Sequence, residues 1–142
     1  MTDMIEAVAA RCESVLASPW VVYRGEAPSK VPPRSATDSR PVPYVIVRAS
    51  VGVTGSDVLA DAAERRVASV WVTSVSEDPD PQIAASEAGW AQGRCVDALA
   101  GWRPWAGAFQ LQHTGSQPPR REDDLPTSVV SAVDMFSADF QR

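Results

Sequence analysis

Residues 66–76 read RVASVWVTSVS, and the alternation in this run decides the fold class. Val70 and Val72 fall on one side of an extended chain and Trp71, Thr73 and Val75 on the other. A period of two in β-branched residues is the mark of a strand with one buried face. The run YVIVRAS at 44–50 has the same character, and Trp20 to Arg24 is a shorter version. Between the two longer runs, Gly52, Gly55, Ser56 and Asp57 signal a turn. Residues 51–65 are therefore expected to leave the sheet and to carry a helical turn through Leu59 to Ala63.

C-terminal to these strands the period changes. Asp80 followed by Pro81 predicts a helix start, because Asp accepts from free amides and Pro costs nothing at the first helical position. The helix is expected to run to about Ala100, with Gly101 as its C-terminal cap. Ala84, Ala88, Ala91, Cys95, Leu99 and Trp102 form one stripe, mostly of small residues that allow close approach to a sheet. An N-terminal helix carries Ile5, Val8, Ala9, Cys12, Val15 and Leu16 on one face. Asp3 is expected to cap it, Glu6 to reach back in a capping box, and Pro19 to end it.

The remaining segments read as a long polar loop at 25–43 with five prolines, a strand at 108–114, a polar loop at 115–127 and a strand at 128–140. The order helix, three strands, helix, two strands does not alternate as a doubly wound fold does. It predicts a single α+β domain over residues 1–142: a mixed, largely antiparallel sheet of about five strands with two main helices on one face. The other face and the long loops would be left for contacts.

Composition narrows the function. With 44% hydrophobic and 22% charged residues the chain is of ordinary globular type, and 142 residues suit one core. A net charge of −5 without a Lys/Arg cluster speaks against a nucleic-acid-binding surface. Cys12 and Cys95 are too few for a disulfide-stapled scaffold, and the N-terminal residues lack the pattern of a signal peptide, so a reducing cytoplasm is the expected compartment of synthesis.

Chemistry is sparse. His113 is the sole histidine and stands in no catalytic or metal-ligand motif, so a structural or solvent-facing role is expected. VGVTGSD at 51–57 lacks the Lys-Ser/Thr ending of a phosphate loop and the glycine spacing of a dinucleotide site. Glu77, Asp78 and Asp80 form the densest acidic run, better explained by helix capping and solvation than by a cation. No catalytic residue, cofactor or metal site is expected. Trp90, Trp102 and Trp105 suit a core and an interface equally well.

The helix leading into SPWVVYRGEAP (18–28), the Pro-rich loop before PYVIVRAS (43–50), RVASVWVTSVS, the 81–101 helix and the closing strands together resemble the tail terminator proteins of long-tailed bacteriophages. The resemblance covers nearly the whole chain and rests on architecture, not on a diagnostic motif. It implies a virion protein of the tail–neck region, made in the host cytoplasm. It further implies a homo-oligomer, a hexameric ring, capping the tail tube, with the tube protein on one side and a head completion protein on the other. DNA would pass through the lumen without specific binding. Loop placement and charge nominate Arg34, Arg40, Arg120, Arg121, Asp123 and Asp124 for ring or tube contacts. A different neck component, or a small enzyme with a carboxylate site, are the rival readings, and a cleft with converging ionisable groups would mark the latter.

Overall fold

The computed structural model describes residues 2–54, 65–122 and 128–141. Helix α1 (Thr2–Val15) is followed by strands β1 (Val21–Arg24), β2 (Tyr44–Thr54) and β3 (Arg65–Asp78), then helix α2 (Pro81–Leu99) and strands β4 (Gln112–Arg121) and β5 (Ser128–Gln141). The described strands make one mixed sheet in the order β1-β2-β3-β5-β4. β1 runs parallel to β2, and the other three pairings are antiparallel. This is the expected α+β architecture.

Alternation along the strands sorts the two faces. Val45, Val47, Ala68, Val70, Val72, Phe136 and Ala138 are buried and form one cluster with Met4, Val8, Ala9 and Cys12 of α1 and Ala91, Cys95 and Leu99 of α2. Both helices thus lie on the same side of the sheet. The small-residue stripe of α2 is fully buried at Ala84, Ala88, Ala91 and Cys95, which lets its backbone come close to β3 and β5. Its cap is as expected: the Asp80 side chain accepts from the Gln82 amide at 2.9 Å, with Pro81 in the first turn. The helix ends at Leu99, and Gly101 follows with φ +78°, a conformation that suits a residue without Cβ.

Four expectations need correction. Strand β2 continues to Thr54, pairing Gly52 with Val67, because ladder hydrogen bonds to β3 outweigh the turn tendency of an isolated glycine. Gly55, Ser56, Asp57 and the helical turn at 59–63 lie outside the described residues. The strand placed at 108–114 instead begins at Gln112 and extends to Arg121, carrying Pro118 and Pro119 along the sheet edge. Prolines are tolerated there because an edge strand need donate to one neighbour only, and the register shifts between Gln117 and Arg120. Glu6 does not close a capping box: its carboxylate takes two hydrogen bonds from Arg24, at 2.9 and 3.0 Å. Finally, residues 25–43 are not a structureless loop, as the next section describes.

Candidate functional site

The Pro-rich segment folds on itself and is fastened to the body. Pro33 bridges Pro41, the Arg34 amide donates to the Arg40 carbonyl at 2.9 Å, and Val42 to that of Pro32 at 2.9 Å. A turn at Ser35 to Asp38 closes this short hairpin. The Arg34 side chain points inward and is only 7% exposed. Its guanidinium meets Glu87 of α2 at 2.8 Å and donates also to the Pro41 carbonyl and the Ser76 hydroxyl. Ser76 in turn donates to Glu87 at 2.9 Å. Burial pushes the Glu87 carboxyl up, but the Arg34 guanidinium, the Ser76 hydroxyl and the charge of Arg40 outweigh it and hold it below its ordinary value.

Arg40 binds Asp38 at 2.7 Å and the buried Asp78 at 2.6 Å. Asp78 also accepts from the Asp80 amide, and that bond with the Arg40 guanidinium lowers its pKa despite burial. The Arg40 guanidinium and amide bring Asp38 down to about 2. The acidic run at 77–80 is thus taken up by capping and by pairing with the hairpin. Among the six residues nominated for contacts, Arg34 and Arg40 come together here as the fastening of the hairpin, Arg34 buried and Arg40 about a third exposed at 34%. A charged residue in a Pro-rich stretch looks solvated in sequence, and only the fold supplies a partner 53 positions away.

Arg120 and Arg121 lie exposed on β4, opposite Ser131 and Val130. Asp123 and Asp124 lie outside the described residues. β4 itself is tied to α2, with the Gln92 side chain donating to the Ser116 hydroxyl and the Gln117 carbonyl at 3.2 and 3.0 Å. His113 on the same strand contacts the buried Asp134 at 2.9 Å and stacks near Phe136. It is a polar lid on a buried carboxylate. Among the described residues no cluster of three or more His, Cys, Asp or Glu side chains is placed to hold a metal ion, and no helix is long and apolar enough to cross a membrane.

Among the described residues, three surfaces carry apolar groups left to solvent. The sheet face away from the helices presents Val21, Tyr23, Tyr44, Trp71, Val133 and Met135, with Tyr23 and Tyr44 in edge contact at 5.5 Å. The outer side of α2 presents Ile83 and Trp90; Trp20 lies 6.2 Å from the Trp90 ring and Arg94 covers it at 5.3 Å. Trp102 packs partly into the core beneath Arg11, whereas Trp105 is 42% and Phe109 52% exposed. Phe109 was hidden in sequence by its place in an expected strand. A cleft of about 310 Å³ opens where residues 29–31 meet the start of β2 and the end of β3. Its ionisable lining is Lys30, Tyr44 and Glu77, with the Tyr44 hydroxyl raised by burial and then by Tyr23 and Glu77.

No protein-family model and no curated protein matches the chain. The fold is shared with a chain in the solved structure described as "Virion of native gene transfer agent (GTA) particle". That likeness has a TM-score of 0.57 at 14% identity and covers 99% of this chain and 91% of the other. The match is therefore of whole domain to whole domain, and at this identity it concerns the fold.

Proposed function

We propose that the chain is a structural virion protein, the terminator that caps a phage-type tail tube, stops its growth and offers the surface to which the head joins. The observation that carries this reading is the fold shared along nearly the full length with a chain of a virion particle. The segment-by-segment resemblance to tail terminators supports the finer role, and so does a sheet face away from the helices that bears the half-buried Tyr23, Tyr44 and Trp71 with the exposed Met135. In this reading the chain works by docking. Copies form a ring, hexameric as the resemblance implies, with one side toward the last tube ring and the other toward a head completion protein. DNA passes through the hole, and the acidic balance keeps it from sticking.

The Pro-rich segment at 25–43 and the segment at 115–127 help to make ring or tube contacts. Arg120, Arg121, Asp123 and Asp124 supply charge to these contacts, and Arg34 and Arg40 keep the hairpin in a fixed pose. Electron microscopy of particles assembled without the chain tests the role. Overlong, unjoined tails are the expected result; tails of normal length beside separate, full heads would assign the chain to head completion instead and sink the terminator reading.

A further inference from the structure

Cys12 and Cys95 are the two cysteines of the chain, and the fold brings them to one spot in the core. Cys12 stands on the buried face of α1 with Val8 and Ala9, and Cys95 on the buried face of α2 with Ala91 and Leu99. All six are closed off from solvent. The two thiols meet where α1 packs on α2, and both are free. Packed helices usually keep their axes about 8–10 Å apart, and a disulfide asks for Cα atoms nearer than that. The side chains flanking the two cysteines are small: Ala9 on α1, Ala91 and Ala98 on α2, all buried. They permit the closer approach.

Arg11, the neighbour of Cys12, fixes how α1 sits at this point. Its Nε donates to the Ala98 carbonyl at 3.1 Å, and its guanidinium lies 5.5 Å from the Trp102 ring. Ala98 belongs to the turn of α2 that follows Cys95, so a cross-helix bond holds the two cysteines opposite each other. The Cys12 thiol, then burial and the charge of Asp134, push the Cys95 thiol up from its ordinary value. It therefore stays protonated and slow to react while the surroundings are reducing.

We propose that Cys12 and Cys95 form a reversible dithiol–disulfide site that locks α1 onto α2 when the chain meets an oxidising environment. A small peroxide is the oxidant whose size suits a closed core, and it enters when α1 opens locally. One sulfur takes an oxygen from the peroxide to become a sulfenic acid, and the other displaces that oxygen as water. Each thiol gives up one hydrogen, the peroxide ends as two waters, and an S–S bond is formed. A dithiol reductant reverses the change by exchange. The link turns the packing of α1 into a covalent tie and closes a loop of about 80 residues. A virion protein, as proposed above, is made under reducing conditions and persists outside the cell, which gives the link its occasion. The chemistry itself does not depend on that role.

Treating the folded, unaltered chain with hydrogen peroxide tests it, read by intact mass and by thermal melting. The expected product is a monomer lighter by two hydrogens, with no thiol left to titrate after denaturation. It should run faster on a non-reducing gel, and dithiothreitol should restore the starting mass. The linked chain should melt about 10 °C higher than the reduced one, the size expected for a long closed loop. Cys95→Ser treated alike should show no such rise. Gain of oxygen without loss of hydrogen, links between chains, closure only in denaturant, thiols that persist, or a linked chain that melts no higher would each overturn the lock. None of these outcomes bears on tail length, so the terminator reading stands or falls separately.

Discussion

Removing Arg34 leaves Glu87 half-buried against one hydroxyl and unfastens the hairpin from α2, with Arg40 and Asp78 still tying it to the end of β3. Breaking a buried ion pair from one side costs about 3–5 kcal/mol, and because Glu87 is 27% exposed the lower end applies. Arg34→Ala should therefore lose about 3 kcal/mol in urea denaturation, and Arg34→Met with Glu87→Met should recover most of it. The carboxyls of Asp38, Asp78 and Glu87 all sit below their ordinary values of 3.8, 3.8 and 4.5 in the folded chain. A depressed folded pKa means stability that is whole above the unfolded value and is lost as pH falls through the folded one. Stability should hold above pH 5 and decline from about 4.5 toward 2, and Glu87→Gln should flatten that decline. An acid limb unchanged in Glu87→Gln would show the pair to be unimportant. Little of this was legible in the sequence, where Asp38 stood two residues from Arg40 but Asp78 and Glu87, which fasten the hairpin to the body, lie 38 and 53 positions from the arginines they hold.

Helix α2 was the most legible element, because its cap, its stripe and its end each have a local cause in residues 80–101. It also allows two substitutions of opposite sign. Ala91 is fully buried between helix and sheet, so Ala91→Leu should cost about 1–3 kcal/mol through overpacking. Gly93 is exposed, and a Cβ there meets nothing within 4 Å, so Gly93→Ala should gain about 1 kcal/mol of helix stability. Thermal unfolding of the pair checks the assignment of faces; a loss at Gly93→Ala would contradict the open space beside it. Strands were legible where alternation is strong, as at Val70 and Val72, and less so where pairing alone extends them. Gly52 and Pro118 have turn chemistry in isolation, yet Gly52 pairs with Val67 in the β2–β3 ladder and Pro118 sits at a register shift inside strand β4. The parallel β1–β2 pairing had no local signal.

At the scale of the whole molecule, helices on one side leave a sheet face bearing Tyr23, Tyr44, Trp71 and Met135, and this follows from the order of elements more than from any one residue. The cleft was not visible in the sequence, since residues 29–31, 75–77 and 129 that line it are far apart along the chain, whereas the aromatic turn after α2 is one contiguous segment in which Trp102 and Trp105 already stood out. Charge at the 120–121 corner has a separate consequence. Exposed rim charges chiefly alter encounter rate and salt dependence, so Arg120→Glu with Arg121→Glu should change the association rate several-fold at low salt and little at 0.5 M salt. On the proposed terminator role, stopped-flow mixing with tail tubes measures it; a salt-independent loss would mean that the pair is buried in the contact. The edge of β4 carries one more implication. Pro118 and Pro119 carry no amide hydrogen and stand together where the register with β5 shifts, so this stretch of the margin is bent and offers no regular row of donors. Another sheet cannot zip onto that margin without leaving a gap, which guards a crowded pool of unused copies against amyloid-like stacking.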